Sequence, residues 1–243
     1  MSQETADPPT AQPEPRRAPR AGRGIGFWAG ILLVLGGLGM LGYVGWQLFG
    51  TNIVARQAQQ GVVEELTERW QVEQPTRVGE RGSRRSGQVP VGEALALIRI
   101  PAFGDDYVMP VLEGVGDEEL SSGFGHFRGT AGPGRRGNFA LAAHRVTHGE
   151  PLRDLPELEP GDQVLVETRD AVYTYELETD PEDLVVTFED VWVIDPLPAN
   201  PDGGVQPAQE PGRRLITLTT CSELFHTDNR MIAFGHLVGT ERK

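Results

Sequence analysis

Residues 215–237 read LITLTTCSELFHTDNRMIAFGHL. Two apolar, β-rich runs, 215–221 and 230–239, flank a short polar segment, a pattern that predicts two strands joined by a loop. Alternation along the first run puts Leu215, Thr217, Thr219 and Cys221 on one face. Ile216, Leu218 and Thr220 fall on the other. Cys221 is the only cysteine of the chain, and it ends its strand, where a side chain can face a cleft. Arg230 opens the next strand nine positions later. A thiol gains nucleophilicity beside an imidazole or a guanidinium. The bland alternative is a small buried core residue, where most free cysteines sit.

Working outward from that pair, residues 94–101 (ALALIRIP), 106–115 (DYVMPVLEGV) and 137–145 (GNFALAAHR) read as further strands. Residues 161–180 (GDQVLVETRDAVYTYELETD) read as a hairpin around Arg169-Asp170. Helical signal is short, around 117–120 and 151–158, and 200–212 (NPDGGVQPAQEPG) reads as a long loop. Several strands at this spacing with little helix predict a mainly β fold, a closed or nearly closed barrel.

The first ninety residues are of another kind. Residues 1–24 are rich in Pro, Ala and Arg without a hydrophobic period and read as a disordered tail, its arginines gathered at 16, 17, 20 and 23. Residues 24–55 carry no charge, and the core from 26 to 50, GFWAGILLVLGGLGMLGYVGWQLFG, exceeds the twenty or so apolar residues that span a bilayer as a helix. It is longer than a signal-peptide core and no small-x-small site closes it, so 25–50 reads as an uncleaved single transmembrane anchor. The arginine cluster before it predicts a cytoplasmic N-terminus and an exported body, localised to the cell membrane. Residues 51–90 read as a juxtamembrane helix, with a partial stripe of Ile53, Val63, Leu66 and Trp70, followed by a flexible Gly/Arg-rich linker at 73–89. The domain proper is expected from 91 to 243.

Of 243 residues, 22 are basic and 35 acidic, a net charge of −13. Residues 91–243 hold 27 acidic and 12 basic side chains. Such an acidic body repels phosphate backbones, which argues against nucleic acid as a partner. Five histidines lie at 126, 144, 148, 226 and 236. His144 ends the 137–145 strand and is the second candidate for chemistry. His144 and His148 have i, i+4 spacing but sit on a strand end and a loop, which argues against a zinc site. The acidic loops leave a calcium site open, and no other cofactor is expected.

Residues 123–145 (GFGHFRGTAGPGRRGNFALAAHR) and 215–237 together resemble the sortases, whose TLxTC signature maps onto residues 217–221. The resemblance runs from about 94 to 239, with histidine, cysteine and arginine in the family's order. The anchor and linker also look like that family's layout. AHR after the Gly-Asn strand and the short Cys-to-Arg gap look most like class E, the type of high-GC Gram-positive bacteria. Ser222 and Glu223 depart from the His-Pro pair expected there.

The resemblance implies an eight-stranded sortase-type barrel with short helices. It implies a cysteine transpeptidase that cleaves a LAXTG- or LPXTG-like signal between Thr and Gly, through a thioacyl intermediate on Cys221. The protein would then pass to a cell-wall precursor amine. His144 would serve as general acid and base and Arg230 would hold the oxyanion. His126 is read as structural. Two other readings use the same residues differently: a cysteine hydrolase that releases its acyl group to water, and a non-catalytic peptide-binding β-domain. A pilin polymerase is disfavoured because 73–93 lack an aspartate-aromatic lid motif.

Overall fold

The computed structural model describes residues 24–46, 50–72, 90–222 and 228–243. The expected tail, the 73–89 linker, Glu223 and His226 lie outside the described residues. The uncharged N-terminal run forms helix α1, Ile25–Gly45, which by length and composition can cross a membrane. The described residues from Val44 onward form one compact unit.

In that unit nine strands are described: β1 (Ala94–Arg99), β2 (Met109–Glu113), β3 (Phe124–His126), β4 (Gly137–Ala142), β5 (Gln163–Glu167), β6 (Ala171–Leu177), β7 (Val185–Thr187), β8 (Arg214–Cys221) and β9 (Asn229–Arg242). They pair in the order β6-β5-β1-β2-β3-β4-β8-β9, and β9 pairs back onto β6. That return closes an eight-stranded barrel and removes its free edges. β7 is an addition, paired only with the start of β9 at Val185↔Met231 through Thr187↔Asn229. Two neighbours run parallel, β2–β3 and β4–β8; the rest are antiparallel. The expected β5–β6 hairpin and β8–β9 pair are present.

The 3-residue strands β3 and β7 were not among the expected elements. The helical signal near 151–158 is a single 3-10 turn, Leu155–Glu157, whose second residue is a proline that cannot continue an α-helix ladder. The signal near 117 is a true short helix, α3 (Asp117–Ser122), with three carboxylates in its first turn where the helix dipole favours them.

The strands of the barrel bury both faces. Inside, Ile98, Val111, Phe124, Phe139, Leu141, Val166, Tyr175, Ile216 and Leu218 form one cluster. The Tyr175 hydroxyl accepts the Gly134 N–H at 2.7 Å, and burial pushes its pKa up to about 12. Outside, Leu184, Val193, Ile232 and Phe234 form a second cluster, where the chain from Leu184 to Ile194 crosses the outer face of β8 and β9. The alternation read along 215–221 is therefore real. Even-numbered Ile216 and Leu218 point into the barrel, and odd-numbered positions face the covering segment.

The juxtamembrane helix α2, Thr51–Val72, packs against α3 and β2. Its buried positions are Asn52, Ala55, Gln59 and Leu66. Ile53, expected in the stripe, is 62% exposed. The buried face follows i, i+3, i+4 spacing from Asn52, so the stripe runs through two amides that an apolar count passes over.

Candidate functional site

Register sets the site. On β8 and β9, Thr217 faces Phe234, Thr219 faces Ile232 and Cys221 faces Arg230. Directly opposed residues project on the same side, so the thiol and the guanidinium share the outer face. On β4, Ala140 pairs with Thr217 and Ala142 with Thr219 in parallel. The chain beyond Ala142 stays beside β8: the Ala143 N–H donates to the Thr219 carbonyl at 3.1 Å, and the Thr220 hydroxyl donates to the Ala143 carbonyl at 2.8 Å. These two bonds bring His144 to the end of β8 next to Cys221.

His144, Cys221 and Arg230 all line one cleft of about 550 Å³. All three are partly buried and so remain open to the cleft. The remaining lining is mostly apolar, with Val115, Leu120, Phe127, Val193, Ile194 and Ile232, and two carboxylates, Asp117 and Asp190. Phe188 and Val191 on its rim are 58% and 66% exposed. An apolar cleft with a few convergent polar groups is the usual form of a peptide or small-ligand site.

The cleft's outer wall, the Val191–Ile194 turn, is tied to the barrel by a side chain that the sequence reading did not single out. Asn138 on β4 is buried. It donates from Nδ2 to the Val193 carbonyl at 3.1 Å and accepts the Thr217 hydroxyl on Oδ1 at 2.8 Å. Asn138, Ala140 and Ala142 share a face by alternation, which was the available signal. At the inner end, Asp190 caps β7 by accepting from the Thr187 N–H and hydroxyl at 2.8 and 2.7 Å.

Of the other described histidines, His126 and His236 lie elsewhere. His126 is buried on β3, its Nδ1 2.6 Å from Glu113 Oε2 and its Nε2 2.9 Å from the Thr130 hydroxyl and 3.1 Å from the Ala131 carbonyl. Both ring nitrogens are thus occupied, which suits a structural role. His236 on β9 lies 2.9 Å from Glu178, which also pairs with Arg213. His148 stacks on His144, ring centroids 4.6 Å apart at 28°. The i, i+4 spacing thus places two imidazoles face to face. Cys221 is a free thiol.

The closed eight-stranded barrel thus gathers a thiol, an imidazole and a guanidinium into one cleft at the ends of β4, β8 and β9. Comparison with known proteins gives it a family. The sortase domain model matches residues 98–238, and the chain belongs to the sortase family. Sortase SrtE1 of Streptomyces coelicolor is 36% identical over 93% of this chain, and the chain spans 59% of that relative's length. Sortase SrtE2 of the same organism is 28% identical over 88% of this chain and 82% of its own. Among solved structures, sortase E from Streptomyces avermitilis is 38% identical with a TM-score of 0.56, covering 63% of this chain and 93% of that one. Class E is thus the branch to which these relatives point.

Proposed function

We propose that this chain is a membrane-tethered cysteine transpeptidase that joins exported proteins to a cell-wall precursor. Cys221 passes its proton to His144, and its sulfur attacks the carbonyl carbon of the Thr–Gly bond in a LAXTG- or LPXTG-like signal. The resulting oxyanion is held by the Arg230 guanidinium, which stays protonated at any working pH. Collapse breaks the C–N bond and leaves a thioester on Cys221, while His144 gives its proton to the departing glycine amine. The neutral imidazole then takes a proton from an incoming precursor amine. That amine attacks the thioester, forms the new amide and releases the Cys221 thiolate beside the reprotonated His144. Three side chains supply the whole sequence without a cofactor.

The observation that carries this reading is the Cys221↔Arg230 register pair with His144 bonded alongside through Ala143. The apolar cleft suits the hydrophobic residues of such a signal. A relative, sortase E1 from Streptomyces coelicolor, was solved with a tripeptide in its active site. The arginine cluster before α1 supports a cytoplasmic tail and an exported barrel, where secreted proteins and lipid-linked precursors meet. Tethering raises their effective concentration at the cleft.

The test is incubation of the full chain in detergent with LAXTG and LPXTG peptides and a rising concentration of a glycyl or diaminopimelate-type amine, followed by mass spectrometry. Amide product should rise with amine at the expense of acid. Acid dominating at every amine concentration would establish a hydrolase instead.

A further inference from the structure

The loop after His144 carries a conformation its residues do not favour. His148 and Glu150 have φ of +53° and +58°, a region that non-glycine residues rarely enter, and Gly149 between them lies at +83°. Backbone held this way persists only where its surroundings over-determine it. Some of that hold comes from the barrel: the Leu152 N–H donates to the His144 carbonyl at 3.0 Å, and the Tyr107 hydroxyl donates to the Pro151 carbonyl at 2.6 Å. Neither bond touches the three positive-φ residues.

Those residues are gripped from α2. Gln59, 2% exposed, donates from Nε2 to the His148 carbonyl at 2.8 Å. Asn52 accepts the Gly149 N–H on Oδ1 at 3.0 Å. Arg56 lies 3.7 Å from the Glu150 carboxylate, which Arg153 of the same loop meets more closely at 2.7 Å. The packing is close: a Cβ at Gly149 would stand 2.5 Å from the Gln59 amide oxygen. Three successive loop residues are thus each met by a polar side chain on successive turns of one helix. The first of them, His148, stacks its ring on His144.

We propose that α2 is a positioning element of the active site, holding the His144 imidazole in working orientation through the Gln59 and Asn52 bonds and the His148 ring. Resting on the reading of His144 as general acid and base, this makes Asn52, Gln59 and His148 positioning residues, which act through His144 and do not line the cleft. It also gives the segment between anchor and barrel a role besides reach. The α2 grip sets how often the imidazole points at the amine, so it acts on turnover and leaves peptide binding alone. A misplacement of about 1 Å can cost on the order of a hundredfold in rate. A loosened ring that still visits the right orientation loses part of that.

The experiment uses the full chain in detergent micelles, with peptide and amine held as above. Gln59→Ala and His148→Ala should each lower kcat roughly tenfold with KM nearly unchanged. His148→Phe, which keeps a flat ring over His144, should recover most of that loss. Arg69→Ala, which removes only an exposed helix pair, should match wild type. Hydrogen exchange over residues 144–153 should accelerate in Gln59→Ala and in Asn52→Ala. If Gln59→Ala proves unstable, Gly149→Ala tests the same contact from the loop side and should give the same split. Variants that keep wild-type kcat and exchange would overturn the proposal, as would a His148→Phe as slow as His148→Ala. A wild-type chain without transfer activity would overturn the functional reading instead; the exchange result would still decide whether α2 orders the loop.

Discussion

Asn138→Ala is the change that most directly probes how the cleft wall is held. In the native protein the Asn138 amide makes two buried hydrogen bonds, to the Val193 carbonyl at 3.1 Å and from the Thr217 hydroxyl at 2.8 Å. Truncation removes both, at about 0.5–1.5 kcal/mol each. It leaves the Val193 carbonyl with only the Thr217 hydroxyl, 3.3 Å away. That rescue limits the penalty for an unsatisfied buried group to the low end of about 1–3 kcal/mol. The expected loss is about 2–4 kcal/mol, or roughly 5–15 °C in Tm for a domain of this size. Thr217→Val removes one of the same bonds and the rescue with it. The double variant should therefore deviate from the sum of the singles by at least about 0.5 kcal/mol. Because the Val191–Ile194 turn lines the cleft, KM for the sorting peptide should rise more than kcat falls. Thermal and urea unfolding followed by circular dichroism, with steady-state kinetics on the folded variants, read both effects. A Tm shift under about 2 °C, or strictly additive singles, would refute the idea that this amide pins the wall.

Arg230→Ala and His144→Ala should each lower transpeptidation by on the order of 100- to 1,000-fold while the circular dichroism spectrum stays native, the size typical of losing an oxyanion donor. His126→Ala should behave oppositely: it removes one partner of a buried pair and costs about 3–5 kcal/mol in denaturant, while turnover of the folded fraction stays near wild type. An inactive but stable His126 variant would mean the wrong imidazole has been assigned. Protease added to protoplasts should digest the chain beyond Gly50 and spare the first 23 residues; the reverse pattern would overturn the topology and the wall-linked role together.

What the sequence made legible follows from signal strength. β8 and β9 are long runs rich in apolar residues, so their existence could be read, with Cys221 ending one and Arg230 opening the other. The hairpin of β5 and β6 was equally plain. β3 and β7 have three residues each, too few for a period to show. The outer wall at Leu184–Ile194 reads locally as irregular chain, and its apolar residues find their purpose only against Ile232 and Phe234, far along the sequence. Tertiary polar contacts were the least visible. Asn138, Asn52 and Gln59 look like ordinary surface amides until the partners they meet, 55, 97 and 89 positions away, are known. His148 sits at a positive φ that non-glycine residues seldom adopt, so its stacking on His144 could not be anticipated from spacing alone.

The central claim is that Cys221 carries the acyl group. The chain has a single thiol, so intact-mass measurement after mixing with a LAXTG peptide and no amine gives a clean answer. The account predicts one adduct of the mass of the peptide through its threonine, discharged by added amine and absent from Cys221→Ala. An adduct that persists in Cys221→Ala, or peptide cleavage by that variant at the wild-type rate, would contradict it.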